Sequence, residues 1–231
     1  MPPLRRLVLE RLMRYYRFLA EGRGRTRPTT VTSAEIAQAL DIDPTQVRKD
    51  LGAIGLVGLG RVGFDTCEVC RAIRSTLGFD RRFRAVLVGA GHLGSALMAY
   101  PPFEQWGLTF AAAFDTDQRK IGHLVTGCRV RSVRSMATYI ARHDIRLAIL
   151  TTPVDAAQRV TDRLVAAGVR AIWNFTPARL TVPAGVCVRD EPISLGLAEL
   201  AYHLACGVGP VHAQPAAPAT RPSQALRCRP T

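Results

Sequence analysis

The segment Gly89-Ala90-Gly91-His92-Leu93-Gly94 has the residue types and spacing that cradle a phosphate. In such a G-x-G-x-x-G the first glycine allows a tight turn and the second lets backbone approach a pyrophosphate. The third lets the following helix pack on the preceding strand. The motif alone is weak, but here it follows the apolar run Ala85–Val88 and opens a helical stretch, which is the context the chemistry requires. The start of that helix offers free N–H groups and a positive dipole end to the phosphates. Asp115 closes the next apolar run and is placed to accept hydrogen bonds from the ribose hydroxyls of an adenosine. A carboxylate there repels a 2′-phosphate and so favours NAD(H) over NADP(H), a preference that the nearby Arg119 and Lys120 soften.

Two more segments close strand-like runs. Thr151-Thr152-Pro153 follows Leu150, and Asn174 opens Asn174-Phe175-Thr176-Pro177. Both lie where ligands bind in open α/β sheets, beyond the carboxyl ends of the strands. Their hydroxyls and amide suit a nicotinamide or its ribose, and equally suit ordinary turns. The nearest acid–base candidates, Tyr100, His92 and His203, form no recognisable pair, so no catalytic residue is assigned. Cys67 and Cys70 form a C-x-x-C with no second pair or histidine cluster to complete a zinc site. No metal is assigned, and both cysteines read as packing residues on one helix face.

A second chemistry lies nearer the N-terminus. Asp43, Pro44 and Gln46 open a helix over 44–54 as cap, first-turn proline and capping-box partner. That helix turns Val47, Leu51 and Ile54 inward and leaves Thr45, Gln46, Arg48 and Lys49 outward. Arginine forks onto a guanine edge and lysine contacts phosphate. The glycine-rich run 55–64 reads as a hairpin wing with Arg61 near its tip, within reach of a phosphate or the minor groove.

The elements that must position these groups follow from periodicity. Residues 5–22 carry Val8, Leu12, Tyr15 and Leu19 on one helical face, and 23–31 read as a loop. Thr32 and Glu35 open a short helix as a capping box, and a tight turn at Asp41-Ile42 leads into the helix at 44–54, a helix-turn-helix spacing. Residues 66–78 are helical. From Arg84 strands at 85–88, 108–114, 147–150 and 169–174 alternate with helices near 93–104, 133–143 and 154–167, which implies a parallel sheet. A last amphipathic helix at 193–206 carries Leu197, Leu200, Ala201 and Leu204. The predicted fold is an N-terminal, mainly α winged helix (1–80), an α/β Rossmann-like parallel-sheet domain (81–192), a C-terminal helix (193–207) and a disordered tail (208–231) rich in Pro, Ala, Arg and Gln. The formal net charge of +13 favours an anionic partner such as nucleic acid. With no apolar run of membrane length, a cytoplasmic protein with reduced cysteines is expected.

In order and spacing, Tyr15-Tyr16-Arg17, Val47-Arg48-Lys49-Asp50-Leu51, Val86-Leu87-Val88-Gly89-Ala90-Gly91, Tyr100-Pro101, Ala113-Phe114-Asp115 and Asn174-Phe175 resemble the redox-sensing transcriptional repressor Rex family, over roughly residues 5–206. The resemblance implies a homodimer on double-stranded DNA with a palindromic operator, released by NADH and permitted by NAD⁺. It also implies that the helix at 193–206 is swapped into the partner, and that Tyr100 lies near the nicotinamide. The chain departs from the family at Gly52-Ala53-Ile54-Gly55, where Ser-Tyr-Phe-Gly is common, at Gly60-Arg61, where the order is usually reversed, and at His92, usually Asn. Pro192 stands where the family has an Asp that couples redox state to domain angle, with Asp190 and Glu191 as neighbouring acids. The alternatives are a small NAD-dependent oxidoreductase and a CoA- or other nucleotide-binding module. The first lacks room for a second catalytic domain, and Asp115 weighs against the second.

Overall fold

The computed structural model describes residues 4–21, 29–60 and 62–207. Arg61, most of the loop expected over 23–31 and the tail 208–231 lie outside the described residues. The chain divides into two compact units, one within Met1–Cys70 and His203–Thr231 and the other over Arg71–Tyr202.

In the first unit α1 (Arg6–Glu21), α2 (Ser33–Leu40) and α3 (Pro44–Ala53) pack around fully buried Leu12, Tyr15, Ile36, Val47 and Leu51. The Thr32 capping box forms as expected. The Glu35 amide donates to Thr32 Oγ1 (3.2 Å) and the Thr32 amide to Glu35 Oε2 (2.7 Å). Asp41, with φ 52°, makes the tight left-handed turn between α2 and α3. Asp43 caps α3 by accepting from the amides of Thr45 and Gln46. The second capping box is not closed, because the Gln46 side chain donates to Asp50 instead (2.8 Å).

After α3 the chain forms the wing. Leu59 and Gly63 exchange two backbone hydrogen bonds of 2.8 and 2.9 Å. The returning strand β2 (Phe64–Asp65) pairs antiparallel with β1 (Thr30–Val31), and α4 (Thr66–Leu77) follows. β1 was expected to be loop. Two residues carry no period of their own, and only pairing with β2 makes them a strand.

The second unit is a seven-stranded sheet. Its strands are β3 (Phe83–Val88), β4 (Leu108–Asp115), β5 (Leu124–Val125), β6 (Cys128–Ser132), β7 (Leu147–Leu150), β8 (Ala171–Asn174) and β9 (Cys187–Asp190), in the order β5-β6-β4-β3-β7-β8-β9. All neighbours are parallel except β5 and β6. One face packs Val86, Val88, Phe114 and Leu150 against α7 (Met136–His143) and α8 (Val154–Ala166). The other packs Leu87, Ala113 and Ile149 against α5 (His92–Met98) and α6 (Pro102–Gln105). The single helix expected over 93–104 is broken at Ala99–Pro101. The proline ring cannot supply an amide to continue α5 and opens the next helix instead. The edge strands β5 and β9 and the neighbouring β6 were not anticipated, because flanking charge and turn residues hide their alternation. The helix α9 (Ile193–Cys206) has the bounds expected and buries none of its residues, with Leu195, Leu197 and Leu200 64–70% exposed. Among the described residues no helix is long and apolar enough to cross a membrane, and no His/Cys/Asp/Glu group could hold a metal.

Gly63 has φ +91°, and a Cβ there would fall 2.4 Å from the Val31 carbonyl oxygen. Gly63→Ala is therefore expected to unseat the wing from β1. The expected outcome is a destabilisation of about 1–3 kcal/mol in urea unfolding, with the far-UV spectrum of the helices retained.

Candidate nucleotide and nucleic-acid sites

The dinucleotide loop is built where β3 ends. Gly89 adopts φ +103°, and a Cβ on it would lie 2.6 Å from the Thr151 carbonyl oxygen. A Cβ on Gly94 would fall 2.2 Å from Gly89 O and 2.9 Å from Leu87 Cδ2, so α5 seats on the turn only because Gly94 has no side chain. Gly91 differs: a Cβ there would meet nothing within 4 Å. The chain's own packing does not demand glycine at that position, while close approach of a phosphate would. Gly91 caps α5 without a side-chain acceptor, so the first-turn amides have none from the cap. Ala90 is buried in the core and offers only backbone to a ligand, whereas His92 and Leu93 are exposed beside the loop.

Thr151 holds this loop in shape. Its hydroxyl donates to Gly89 O (2.7 Å) with a longer approach to Val88 O (3.2 Å), and its amide donates to Val88 O (2.9 Å). Its side chain is therefore a positioning group. The Thr152 hydroxyl is enclosed and has no hydrogen-bond partner among the described residues; Pro153 is exposed at the head of α8.

Asp115 sits at the carboxyl end of β4, 8% exposed. One oxygen accepts from the Asp117 amide (2.9 Å) and the other pairs with Lys120 Nζ (3.0 Å). Arg119 is turned away onto Asp117 (3.0 Å). Of the two cations flagged in the sequence, only Lys120 reaches the acid.

Asn174 lies at the carboxyl end of β8. It is fully buried, and its amide is wholly committed within the chain. Nδ2 donates to Ala178 O (2.9 Å) and Asp190 Oδ1 (2.8 Å), while Oδ1 accepts from the Thr176 amide (3.0 Å) and hydroxyl (2.7 Å). With both donors and both lone pairs used within the chain, Asn174 shapes the loop after β8. Tyr100 lies beyond the C-terminal end of α5, the end opposite the glycine loop. Its ring meets Phe103 edge-on at 5.0 Å, and Phe103 meets Trp173 at 5.7 Å. Tyr100 also lines a cavity of about 550 Å³ with Phe103, Phe110 and Arg129.

In the first unit α3 is fixed by a buried carboxylate. Asp50, 2% exposed, accepts from Arg11 Nε (2.6 Å) and Nη2 (2.8 Å), Tyr15 Oη (2.9 Å) and Gln46 Nε2. Burial pushes this carboxyl up, but the hydrogen bonds from Arg11, Tyr15 and Gln46 together outweigh it and hold the group below its ordinary value of 3.8. Burial, reinforced by the hydrogen bond to Asp50, raises the Tyr15 phenol. This network was not read from the sequence; the available signal was an acid on the buried side of a helix, in step with Val47 and Leu51. The outward face carries Thr45, Arg48 and Lys49, all exposed, and half-buried Gln46. The Arg48 guanidinium lies against Ser33 Oγ (3.3 Å) and Thr45 Oγ1 (3.1 Å), and Lys49 has no partner among the described residues. Arg48 and the wing together line a groove of about 450 Å³, where Val57 (89%) and Leu59 (69%) are exposed. The fifth expected DNA contact, Arg61, falls outside the described residues.

Comparison with known proteins agrees with this two-site arrangement. The family described as "CoA binding domain" matches residues 80–178, and that described as "Putative DNA-binding protein N-terminus" matches residues 6–52. The redox-sensing transcriptional repressor Rex of Rhodopirellula baltica is 37% identical over 198 residues, covering 84% of this chain and 81% of its own. That of Roseiflexus sp. is 39% identical over 204 residues, covering 87% and 89%. Among solved structures, RSP in complex with β-NAD⁺ and operator DNA superposes with a TM-score of 0.84 at 32% identity, covering 90% of this chain and 95% of that one. RSP in complex with β-NADH superposes with a TM-score of 0.81 at 32% identity, covering 90% and 97%.

Because the folded pKa of Asp50 is lowered, its contribution to stability is complete above the ordinary carboxylate range and is lost as pH falls through the folded value. Asp50→Asn is expected to destabilise the first unit by on the order of 2 kcal/mol at neutral pH, Arg11 being only partly buried, and to remove this acid-side loss. Urea unfolding of both proteins at pH 7 and at successively lower pH measures it.

Proposed function

The chain belongs to the Rex family of redox-sensing transcriptional repressors, and we propose that it reads DNA with the exposed face of α3 and the wing while the loop after β3 takes the pyrophosphate of NAD(H). It represses transcription while bound to operator DNA and leaves the operator when NADH binds. The observation that carries the nucleotide assignment is the contrast within the glycine loop. Gly89 and Gly94 are demanded by the chain's own close contacts, and Gly91 is open to a ligand. In this reading Gly89–Gly94 line the pyrophosphate, with His92 and Leu93 at its rim. Asp115 binds the adenosine ribose after sharing or releasing Lys120. Thr152 and Pro153 border the nicotinamide end, and Thr151 and Asn174 position the two loops. Thr45, Gln46, Arg48, Lys49 and Arg61 meet the DNA.

Family members are regulators, and the chain is proposed to bind NAD(H) without turning over a substrate, in the cytoplasm where its operators lie. The exposed face of α9 supports a homodimer. Its leucines are 64–86% exposed in one chain, more apolar area than a free helix leaves in water. Two winged helices then face the two halves of a palindrome. Asp190, hydrogen-bonded to Asn174 at the end of β8, lies three residues before α9 and joins the strand ends of the nucleotide site to that helix. This contact takes the coupling part that the Asp absent at Pro192 would play. Residues 1–80 and 81–192 are the DNA-reading and nucleotide-binding domains of this reading.

Asp115→Ala is expected to weaken NADH binding by about 1.5–3 kcal/mol, measured by fluorescence titration. Equal affinity in mutant and parent removes Asp115 from the site. The double change Arg48→Ala/Lys49→Ala is expected to abolish operator binding and leave NADH titration unchanged. Linkage requires that saturating operator weaken NADH binding by the same factor as NADH weakens operator binding. Equal NADH affinities with and without operator rule out the redox switch even if both ligands bind.

A further inference from the structure

The amino-terminal ends of β3, β7 and β8 gather charge that neither site uses. Ala85, Leu147 and Ala171 are register partners across these three adjacent strands, and each is preceded by an arginine: Arg84, Arg146 and Arg170. All three are exposed. The chain lies close here, since the Arg170 amide donates to Arg146 O (2.9 Å) and Arg146 Nη1 to Gly168 O (3.0 Å). Arg81 and Arg82, also exposed, lead into β3. The acids nearby are Asp144, which pairs with Arg146 (2.6 Å), and Asp80, which faces Arg74 (3.8 Å). Among the described residues Arg84 and Arg170 make no ion pair. Arg170 Nη1 donates to its neighbour's carbonyl, Val169 O (3.4 Å), and like charges on neighbouring strands repel one another, so Arg84 and Arg170, left without a counter-ion among the described residues, fit an external anion.

We infer that this arginine row is a second, sequence-independent contact for the phosphate backbone of duplex DNA, on the edge of the sheet opposite the nucleotide loop. The inference rests on the DNA-binding reading above. An isolated small anion needs an enclosed cradle, whereas these groups stand on an open edge at strand spacing. From Arg84 to Arg170 the row spans roughly 10 Å, over which one strand of B-DNA presents about three phosphates. Because the sheet and α3 are joined in one chain, a duplex held by α3 is at raised effective concentration for the row, so a weak contact contributes measurably.

The test uses the full chain and a long duplex of random sequence, with binding followed across a series of salt concentrations. Arg84→Gln/Arg170→Gln leaves the Arg146 contacts intact and is expected to lower the log–log salt slope by about two, with weaker binding at low salt. NADH titration is expected to match the parent, which checks that the sheet is folded. An unchanged slope in a variant that still binds NADH overturns the inference. If the slope falls for Arg48→Ala/Lys49→Ala but not for this pair, DNA meets only α3 and the wing, and the arginine row serves some other polyanion or none. If the parent itself binds no duplex, the DNA-binding reading fails and the inference with it. A last variant, Arg84→Glu/Arg170→Glu, is expected to lower binding further than the glutamine pair; equal binding by the two also overturns the inference.

Discussion

The seat of Gly94 on Gly89 is the contact on which the nucleotide-binding unit depends. With a Cβ of Gly94 destined to lie 2.2 Å from the Gly89 carbonyl oxygen, α5 reaches the end of β3 only if that side chain is missing. The turn beneath it is then fixed from the neighbouring strand by the Thr151 hydroxyl and amide. The glycine loop and the sequence-distant Thr151 meet within hydrogen-bonding distance, and the space beside Gly91 stays open. The chain's own contacts thus hold the loop in shape, which reduces the ordering entropy that binding would otherwise cost.

The winged unit solves a related problem with charge. A helix that lies in a groove must present one face consistently, and the face presented is set by what its other face holds. Val47 and Leu51 supply apolar area, which is non-directional. Asp50 adds direction, because a buried carboxylate stays ionised only where Arg11, Tyr15 and Gln46 converge on it. Rotating α3 about its axis would break this set at once. The same bond draws Gln46 partly inward and leaves Arg48 and Lys49 as the outward charges.

Coupling between sites needs an element that responds to both, and in the proposed switch that element is the short path through Asn174 and Asp190 at the end of β8. Asn174 holds the loop after β8 and is hydrogen-bonded to Asp190, which precedes α9. A bound nucleotide shifts the equilibrium only by its difference in affinity for the two arrangements.

Much of this was legible in the chain. The glycine loop, Asp115, the helix-turn-helix caps, four of the strands and the bounds of α9 follow from local chemistry: positive φ, capping hydroxyls and 3.6- or 2-residue periods act within a few residues and leave their mark in order and spacing. The exposed face of α3 was legible for the same reason, because burial of Val47 and Leu51 fixes its phase. What the order of residues could not state is which polar groups would consume one another. Asn174 carries the right chemistry for a ligand, and only the fold brings Thr176, Ala178 and Asp190 close enough to exhaust it. Asp50 looked like an ordinary helix acid until α1 was packed across it, and β1 became a strand only when β2 lay beside it. The arginines before β3, β7 and β8 are separated by tens of residues and meet only in the sheet's register. Hydrogen bonds and charges act over a few ångströms of space, whatever the distance along the chain. The sequence by itself therefore determined the elements and their chemistry, and tertiary packing decided which groups remained free to use it.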